Sequence, residues 1–180
     1  MSLMSAVLAA ALILSMRSAK AFDPENTLYM DLKDGRVVIE FRPDLAPKTV
    51  ARMKQLARQH FFDGIVFHRV IAGFMAQTGD PTGTGYGGSG QKLPAEFSNA
   101  NHVRGTVSMA RSQDPNSADS QFFICFEAQP SLDGQYTIWG QVTQGMAFVD
   151  KIKQGDPNNN GMVEAPQDKI IRMQVAADVK

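Results

Sequence analysis

Apolar and polar residues alternate in many short runs along this 180-residue chain, and a period of two is typical of β-strands. The runs 27–32 and 36–41 are separated by Lys33, Asp34 and Gly35. An Asp-Gly pair between two such runs indicates a β-hairpin. Further strands are predicted at 65–71, 74–78, 106–110, 121–126, 137–142 and 169–179.

Two segments have helical spacing instead. The segment 43–60 contains Asp44 and Pro47, which are common at helix starts, and 146–153 stops before a glycine and a proline. The apolar face of the first helix is predicted to consist of Val50, Met53, Leu56 and Ala57. Many short strands with two helices fit a mainly β fold, a closed antiparallel barrel whose ends the helices cover, because closure removes exposed strand edges.

The first 21 residues have a different pattern from the rest. Residues 3–16 are uncharged and nearly all apolar, and Arg17 and the triplet 19–21, Ala-Lys-Ala, follow. At about 1.5 Å per residue, this run is shorter than the roughly 30 Å hydrocarbon core of a bilayer. Small residues at both ends of the triplet suit a signal peptidase. We therefore predict a signal peptide at 1–21 and one domain at 22–180, with an uncleaved anchor or a short packed helix as alternatives.

Charge and cysteine content narrow the classes of partner. The chain has 18 Lys plus Arg and 18 Asp plus Glu, so no basic field indicates binding to nucleic acid. Cys125 is the single cysteine, which excludes an intramolecular disulfide. Because it lies in the apolar run 122–126, it is expected to pack as a small hydrophobe. Partners must therefore be inferred from individual sites.

Sequence motifs of several common functional sites are either missing from this chain or occur in the wrong structural context. The loop 83–88, GTGYGG, formally matches the dinucleotide fingerprint, but Pro94 follows where a helix should begin. His60, His68 and His102 are irregularly spaced with no cysteine pair beside them, so no metal site is expected. The chain has no Gly-x-Ser-x-Gly elbow. A Ser/His/Asp triad assembled by the fold stays open.

The stretch 67–80, FHRVIAGFMAQTGD, combines an arginine and an amide with apolar side chains. Strand alternation places Phe67 and Arg69 on one face and His68 on the other. Phenylalanines in such a run usually belong to the core. Arginine, however, is rarely buried without a partner, so Arg69 indicates a site.

Two further strands each place an amide beside an apolar side chain. Alternation puts Met75 and Gln77 on one face of their strand, and Gln121 and Phe123 on one face of theirs. A cation beside an apolar pocket with amide groups predicts recognition of a neutral, peptide-like ligand.

The chain resembles the cyclophilin family of peptidyl-prolyl cis-trans isomerases in five segments, which occur in the family's order and spacing. These are FHRVIAGFMAQTGD (67–80), GTGYGG (83–88), GTVSMAR (105–111), SQFFIC (120–125) and LDGQYTIWGQV (132–142). The resemblance extends over nearly all of 22–180. It implies a closed eight-stranded antiparallel β-barrel capped by two α-helices, and an enzyme that isomerises X-Pro bonds without a cofactor or metal.

The resemblance also implies roles for individual residues. The family's catalytic arginine falls on Arg69, and the glycine loop 83–88 becomes a wall of the neighbouring groove. The proline pocket is implied to comprise Phe74, Met75, Phe123 and Leu132. The rest of the substrate-binding groove is implied to comprise Gln77, Ala110, Gln121 and Tyr136.

Three positions depart from many eukaryotic members of the family. Ser131 stands in place of a tryptophan, Tyr136 in place of a histidine and Arg111 in place of an asparagine. Without the indole N–H and its contact area, cyclosporin is expected to bind weakly. Arg111 and Tyr136 resemble the bacterial branch. Together with the signal segment, this predicts a periplasmic monomer whose partners are proline-containing peptides and unfolded exported proteins.

Two other classes of function stay open at this stage. The same groove would serve a proline-peptide-binding module or a holdase chaperone with little turnover. A ligand-carrying barrel of the lipocalin type needs a hollow interior. The many large apolar side chains on both strand faces favour a filled interior instead.

Overall fold

The fold is described by a computed structural model that covers residues 21–180. The strands are β1 (Thr27–Leu32), β2 (Gly35–Phe41), β3 (Arg69–Ile71), β4 (Met75–Thr78), β5 (Thr106–Met109), β6 (Phe122–Cys125), β7 (Ile138–Gln144) and β8 (Arg172–Val175). The helices are α1 (Pro47–Arg58) and α2 (Met146–Val149). Residues 1–20, most of the predicted signal peptide, lie outside the described residues. In the described range, no helix has the length and apolar character needed to span a membrane.

The first hairpin shows how the alternating pattern specifies the sheet. β1 and β2 pair antiparallel along their length, ending with Leu32 opposite Gly35. Alternate apolar residues such as Leu28 and Ile39 are fully buried. The hairpin predicted from the Asp-Gly pair is confirmed.

The strands form one antiparallel sheet in the order β3-β4-β6-β5-β7-β2-β1-β8. The closed barrel expected from the sequence is not observed, because no regular ladder joins the two edge strands, β3 and β8. Irregular segments meet there instead: Val66 and Lys169 form an isolated bridge, and the Phe67 N–H donates to the Asp168 carbonyl at 2.9 Å. The architecture is therefore a curled half-barrel with two helices.

The segment predicted as a strand at 65–71 is regular only in β3. Phe67 and Val70 lie in the main hydrophobic core, between α1 and the sheet, whereas Arg69 lines a pocket on the other side of the sheet. Phe67 therefore does not share a face with Arg69. The predicted shared face is wrong because period-two alternation holds only where the backbone is regularly extended. Beyond this point the alternation holds, and β4 directs Ala76 into the main core but Met75 to the opposite face.

Other elements are where the sequence predicts them and differ at their ends. α1 begins at Pro47 rather than at residue 43, because Arg42 and Leu45 form a hydrogen-bonded turn. The carboxylate of Glu96 accepts hydrogen bonds from the Lys48 and Thr49 N–H groups and so caps the helix from a distant loop. α2 and β8 are shorter than predicted.

The main core lies between α1 and the sheet. The helix buries the predicted face, together with one threonine: Thr49, Val50, Met53, Leu56 and Ala57. Inside the sheet, the Phe122 ring meets Trp139 edge to face at 5.3 Å and Phe62 at 5.7 Å. The interior of the sheet is thus filled with side chains here, as expected.

Candidate active site

An open pocket of about 330 Å³ lies over β3, β4 and β6, on the face opposite the main core. It brings together all the site residues predicted from the sequence except Gln121. Those that line it are Arg69, Phe74, Met75, Gln77, Ala110, Phe123, Leu132 and Tyr136.

The floor of the pocket is a small apolar cluster separate from the main core. Met75, Phe123 and Cys125 are buried in it, and Phe74 and Leu132 pack against it. Strand register explains the contact, because Met75 lies opposite Cys125 in the β4–β6 pair. The pocket is therefore apolar at its base. Burial raises the pKa of the Cys125 thiol to about 12, so this residue acts as a hydrophobe, as expected.

Arg69 is held beside the pocket by neutral partners. It lies opposite Gln77 in the β3–β4 pair, and its Nη1 donates to Gln77 Oε1 at 3.2 Å. Its Nε donates to the Asn160 backbone carbonyl and its Nη2 to Asn160 Oδ1, both at 3.0 Å. Burial lowers its pKa, but a guanidinium remains protonated in proteins. Arg69 therefore presents a fixed positive charge without a carboxylate partner in the described chain.

A chain of amide hydrogen bonds fixes Gln77. Its Nε2 donates to Gln121 Oε1 at 3.0 Å, and Gln121 Nε2 donates to the carbonyls of Gly85 and Gly87. Both atoms of the Gln121 amide are thus already engaged, which explains why this residue lies behind the pocket wall. The chain orients Gln77 so that its oxygen faces Arg69.

The glycine loop 83–88 forms one wall, as predicted, and a buried carboxylate holds it. Asp80 accepts hydrogen bonds from the Thr82 N–H and hydroxyl, the Thr84 N–H and the Gly85 N–H. Burial by itself would raise the Asp80 pKa, but these hydrogen bonds outweigh it and lower the pKa to about 2. A Cβ at Gly87 would collide with this carboxylate, so the tight packing requires glycine there.

The pocket also contains residues that the sequence reasoning missed. Besides the glycine-loop wall, these are His68, Arg111, Asn160 and Met162. Asn160 lies 91 positions from Arg69, and no local pattern could have indicated that contact. The position of His68 next to Arg69 was a signal in the sequence, but strand alternation predicted His68 on the opposite face of the strand from Arg69.

A Ser/His/Asp arrangement, with its serine and histidine buried and its aspartate partly exposed, lies behind the pocket. His102 Nδ1 is 3.1 Å from Asp133 Oδ1, and its Nε2 is 3.0 Å from Ser108 Oγ. Ser108 is fully buried, so no substrate can reach it as a nucleophile. The His102 ring stacks on Phe123 with the centroids 6.2 Å apart. The three side chains of a Ser/His/Asp triad, which the sequence did not exclude, are thus close together. They support the pocket floor instead of forming an accessible nucleophile.

The fold and the pocket together define a class of protein. A fixed guanidinium stands beside an apolar pocket and amide groups, and among residues 21–180 no accessible nucleophile of the pocket is hydrogen-bonded to a base. Within residues 21–180, no group of three or more His, Cys, Asp or Glu side chains could hold a metal ion. The site suits a protein that binds a peptide-like ligand through an apolar pocket and a fixed cation.

Comparison with known proteins identifies the family. The model for the family described as "Cyclophilin type peptidyl-prolyl cis-trans isomerase/CLD" matches residues 27–175. The chain belongs to this family and is a peptidyl-prolyl cis-trans isomerase.

Curated relatives have the same activity in their names. A "Probable peptidyl-prolyl cis-trans isomerase" of Brucella abortus (strain 2308) is 52% identical over 197 aligned positions, which cover 100% of both chains. "Peptidyl-prolyl cis-trans isomerase B" of Bacillus subtilis (strain 168) is 42% identical over 142 positions, covering 77% of this chain and 99% of the relative.

Solved structures share the fold. The cyclophilin AquaCyp293 from Hirschia baltica superposes with a TM-score of 0.77 at 25% identity, covering 88% of this chain and 76% of that chain. A Cryptosporidium parvum cyclophilin, crystallised in the presence of the dipeptide Ala-Pro, gives a TM-score of 0.75 at 28% identity, with coverage of 83% and 98%. The eight antiparallel strands and two helices are thus cyclophilin-like.

Proposed function

We propose that this isomerase accelerates rotation about X-Pro bonds in exported polypeptides in the periplasm and so assists their folding. The observation that carries the mechanism is the fixed guanidinium of Arg69 beside the apolar pocket. The apolar segment 3–16 with the small-residue triplet at 19–21 supports export.

The chemistry to be accelerated needs neither an acid-base pair nor a nucleophile. Rotation about the C–N bond meets a barrier of about 18–20 kcal/mol because resonance gives it partial double-bond character. In the twisted state the prolyl nitrogen loses this conjugation and regains a lone pair. Arg69 is proposed to donate a hydrogen bond to that nitrogen, which stabilises the twisted state more than the planar one.

The remaining residues are proposed to hold the substrate while one part of it rotates. Phe74, Met75, Phe123 and Leu132 would enclose the proline ring, because they form the apolar base of the pocket. Gln77, Ala110 and Tyr136 would contact the adjoining peptide, and Gln121 would contribute by fixing Gln77. Each tenfold increase in rate then requires about 1.4 kcal/mol of preferential binding to the transition state.

Substitution of Arg69 tests this mechanism. Residues 22–180 would be purified and cis-trans exchange of a proline peptide measured by NMR for the parent, Arg69→Ala and Arg69→Lys. We expect kcat/KM to fall by roughly 100-fold or more in the alanine variant, because one preorganised donor is typically worth that much. The lysine variant should recover only part of it, since its single ammonium cannot reproduce the planar fork.

The matched control is Arg172→Ala, which removes an exposed arginine of β8 that does not line the pocket. If Arg69→Ala exchanges the peptide as fast as this control, the role proposed for Arg69 is wrong. If the parent binds the peptide without exchanging it, the chain acts as a proline-peptide-binding module or holdase instead.

Export has its own test. The mass of the protein recovered from cells should correspond to a chain starting at Phe22. A mass that includes residues 1–21 would contradict a soluble periplasmic enzyme and favour an anchored one.

We also propose that the enzyme is a monomer and that it binds cyclosporin weakly. The affinity for cyclosporin should be low because Ser131 stands where an indole would add contact area. Calorimetric titration measures that affinity.

A further inference from the structure

Arg111 is a second arginine fixed at the pocket. Its Nε donates to the Gln135 carbonyl at 3.0 Å, and its Nη1 donates to the Ser112 carbonyl at 2.8 Å. Its guanidinium carbon lies 4.6 Å from the centre of the Tyr136 ring and 5.9 Å from that of Phe97. Backbone carbonyls and aromatic faces therefore hold the charge in one orientation.

This cation has no carboxylate partner among residues 21–180. Other arginines do: Arg36 pairs with Asp31 at 2.7 Å and Arg104 with Asp150 at 2.6 Å. Arg111 forms no salt bridge in the described chain, and its Nη2 makes no hydrogen bond there. Among the residues that the structure describes, no Asp or Glu lines the pocket either.

Acidic side chains close in sequence to Arg111 or to its partner Gln135 are engaged elsewhere. Asp133 accepts hydrogen bonds from the backbone and ring of His102, and Asp114 accepts one from the Asn116 N–H. Arg111 is also only partly exposed. A partly desolvated cation attracts an incoming anion more strongly than a fully exposed one does.

The position of Arg111 determines what it can reach. Tyr136, on which it stacks, meets Phe123 of the pocket floor edge on, with the ring centroids 5.9 Å apart. Arg111 is thus one aromatic ring away from the proposed proline pocket. An extended peptide advances about 3.3 Å per residue, so a side chain within two residues of the proline can reach the free Nη2.

We propose that Arg111 selects substrates that carry an Asp or Glu within two residues of the isomerised proline. The inference rests on the proposed function of the pocket and specifies its substrate class. A carboxylate would accept a charge-assisted hydrogen bond from Nη2. Arg69 and Arg111 together give the pocket a positive field, which disfavours lysine at the same positions.

The test compares peptides that differ only in charge. They are N-acetylated, C-amidated pentapeptides with a central proline and alanine elsewhere, in which each neighbour in turn becomes Glu, Gln or Lys. NMR exchange gives kcat/KM for each peptide. At one position or more, we expect the Glu peptide to exceed its Gln counterpart by about three- to tenfold at roughly 0.02 M salt. The ratio should approach one at about 0.5 M salt, where charges are screened.

Variants assign the preference to Arg111. The Glu-to-Gln ratio should fall toward one in Arg111→Gln, where only the field of Arg69 remains, persist in part in Arg111→Lys, and give way to a preference for Lys peptides in Arg111→Glu. Arg172→Gln removes one charge outside the pocket and should keep the parent's ratio. Exchange of the Gln peptide shows that the groove has formed in each variant.

Two outcomes overturn the inference while leaving the proposed function intact. One is a parent that exchanges all peptides with ratios near one. The other is a charge-reversed Arg111→Glu variant that still prefers Glu peptides. A parent that exchanges no peptide at all would instead contradict the proposed function.

Discussion

At the scale of single residues, the site depends on arginines whose partners leave their charge available. Asn160 holds Arg69 through one backbone and one side-chain oxygen, and Gln77 adds a third neutral contact. A neutral partner orients the guanidinium without cancelling its charge. A carboxylate in the same place would orient it equally well but would compete with the substrate.

Asn160→Asp tests this distinction. The new carboxylate should form an ion pair with Arg69, and we expect kcat/KM to fall about tenfold because the twisted substrate must displace that pair. The measurement is cis-trans exchange of a neutral proline peptide. Asn160→Gly is the control, because it removes the amide and also permits the positive φ of 49° that residue 160 adopts. Equal rates in the Asp variant and the parent would show that the neutrality of Asn160 is unimportant.

At the scale of elements, a loop that looks irregular is tightly specified. Asp80 holds residues 82–85 from one side, and Asp119 accepts hydrogen bonds from Ser89 and Gly90 on the other. The Gly85 carbonyl in turn accepts from Gln121, so the loop, the two glutamines and Arg69 form one connected network. The loop therefore contributes to the position of the proposed catalytic group.

Asp80→Asn should destabilise the protein in a pH-dependent way. The folded pKa of about 2 lies below the value near 3.9 expected for the unfolded chain. The carboxylate therefore contributes stability above about pH 4, and this stability is lost as the pH falls toward 2. Urea unfolding at pH 7 should show a loss of roughly 2 kcal/mol in the variant. The loss should shrink toward pH 2, and a loss that is independent of pH would refute this origin.

At the scale of the whole molecule, we expect the open edge between β3 and β8 to be the least stable part of the sheet. It is joined by an isolated bridge and single hydrogen bonds, whereas β5, β6 and β7 lie in the middle with a ladder on each side. Stability within one fold varies from edge to centre, because opening an edge exposes less apolar surface than opening the core.

Amide hydrogen exchange tests this difference. The Phe67 and Ile170 N–H groups, which donate across the open edge, should exchange faster than those of Val107 and Ile124 in the central strands. Two-dimensional NMR after transfer to deuterated buffer gives the rates. Equal protection at both places would mean that the sheet opens as one closed, cooperative unit.

The sequence by itself determined the strand and helix order, the hairpin, the buried face of α1 and eight of the residues that line the pocket. These depend on local periodicity and on a family resemblance across five segments, both of which are readable along the chain. Only the tertiary structure placed Phe67 in the main core, brought Asn160 to Arg69 and left the edge between β3 and β8 open. It also showed that Gln121 lies behind the wall and that Arg111 has no counter-ion among residues 21–180. These features depend on contacts between residues far apart in the chain and on where the backbone stops being regularly extended, and no local pattern records either.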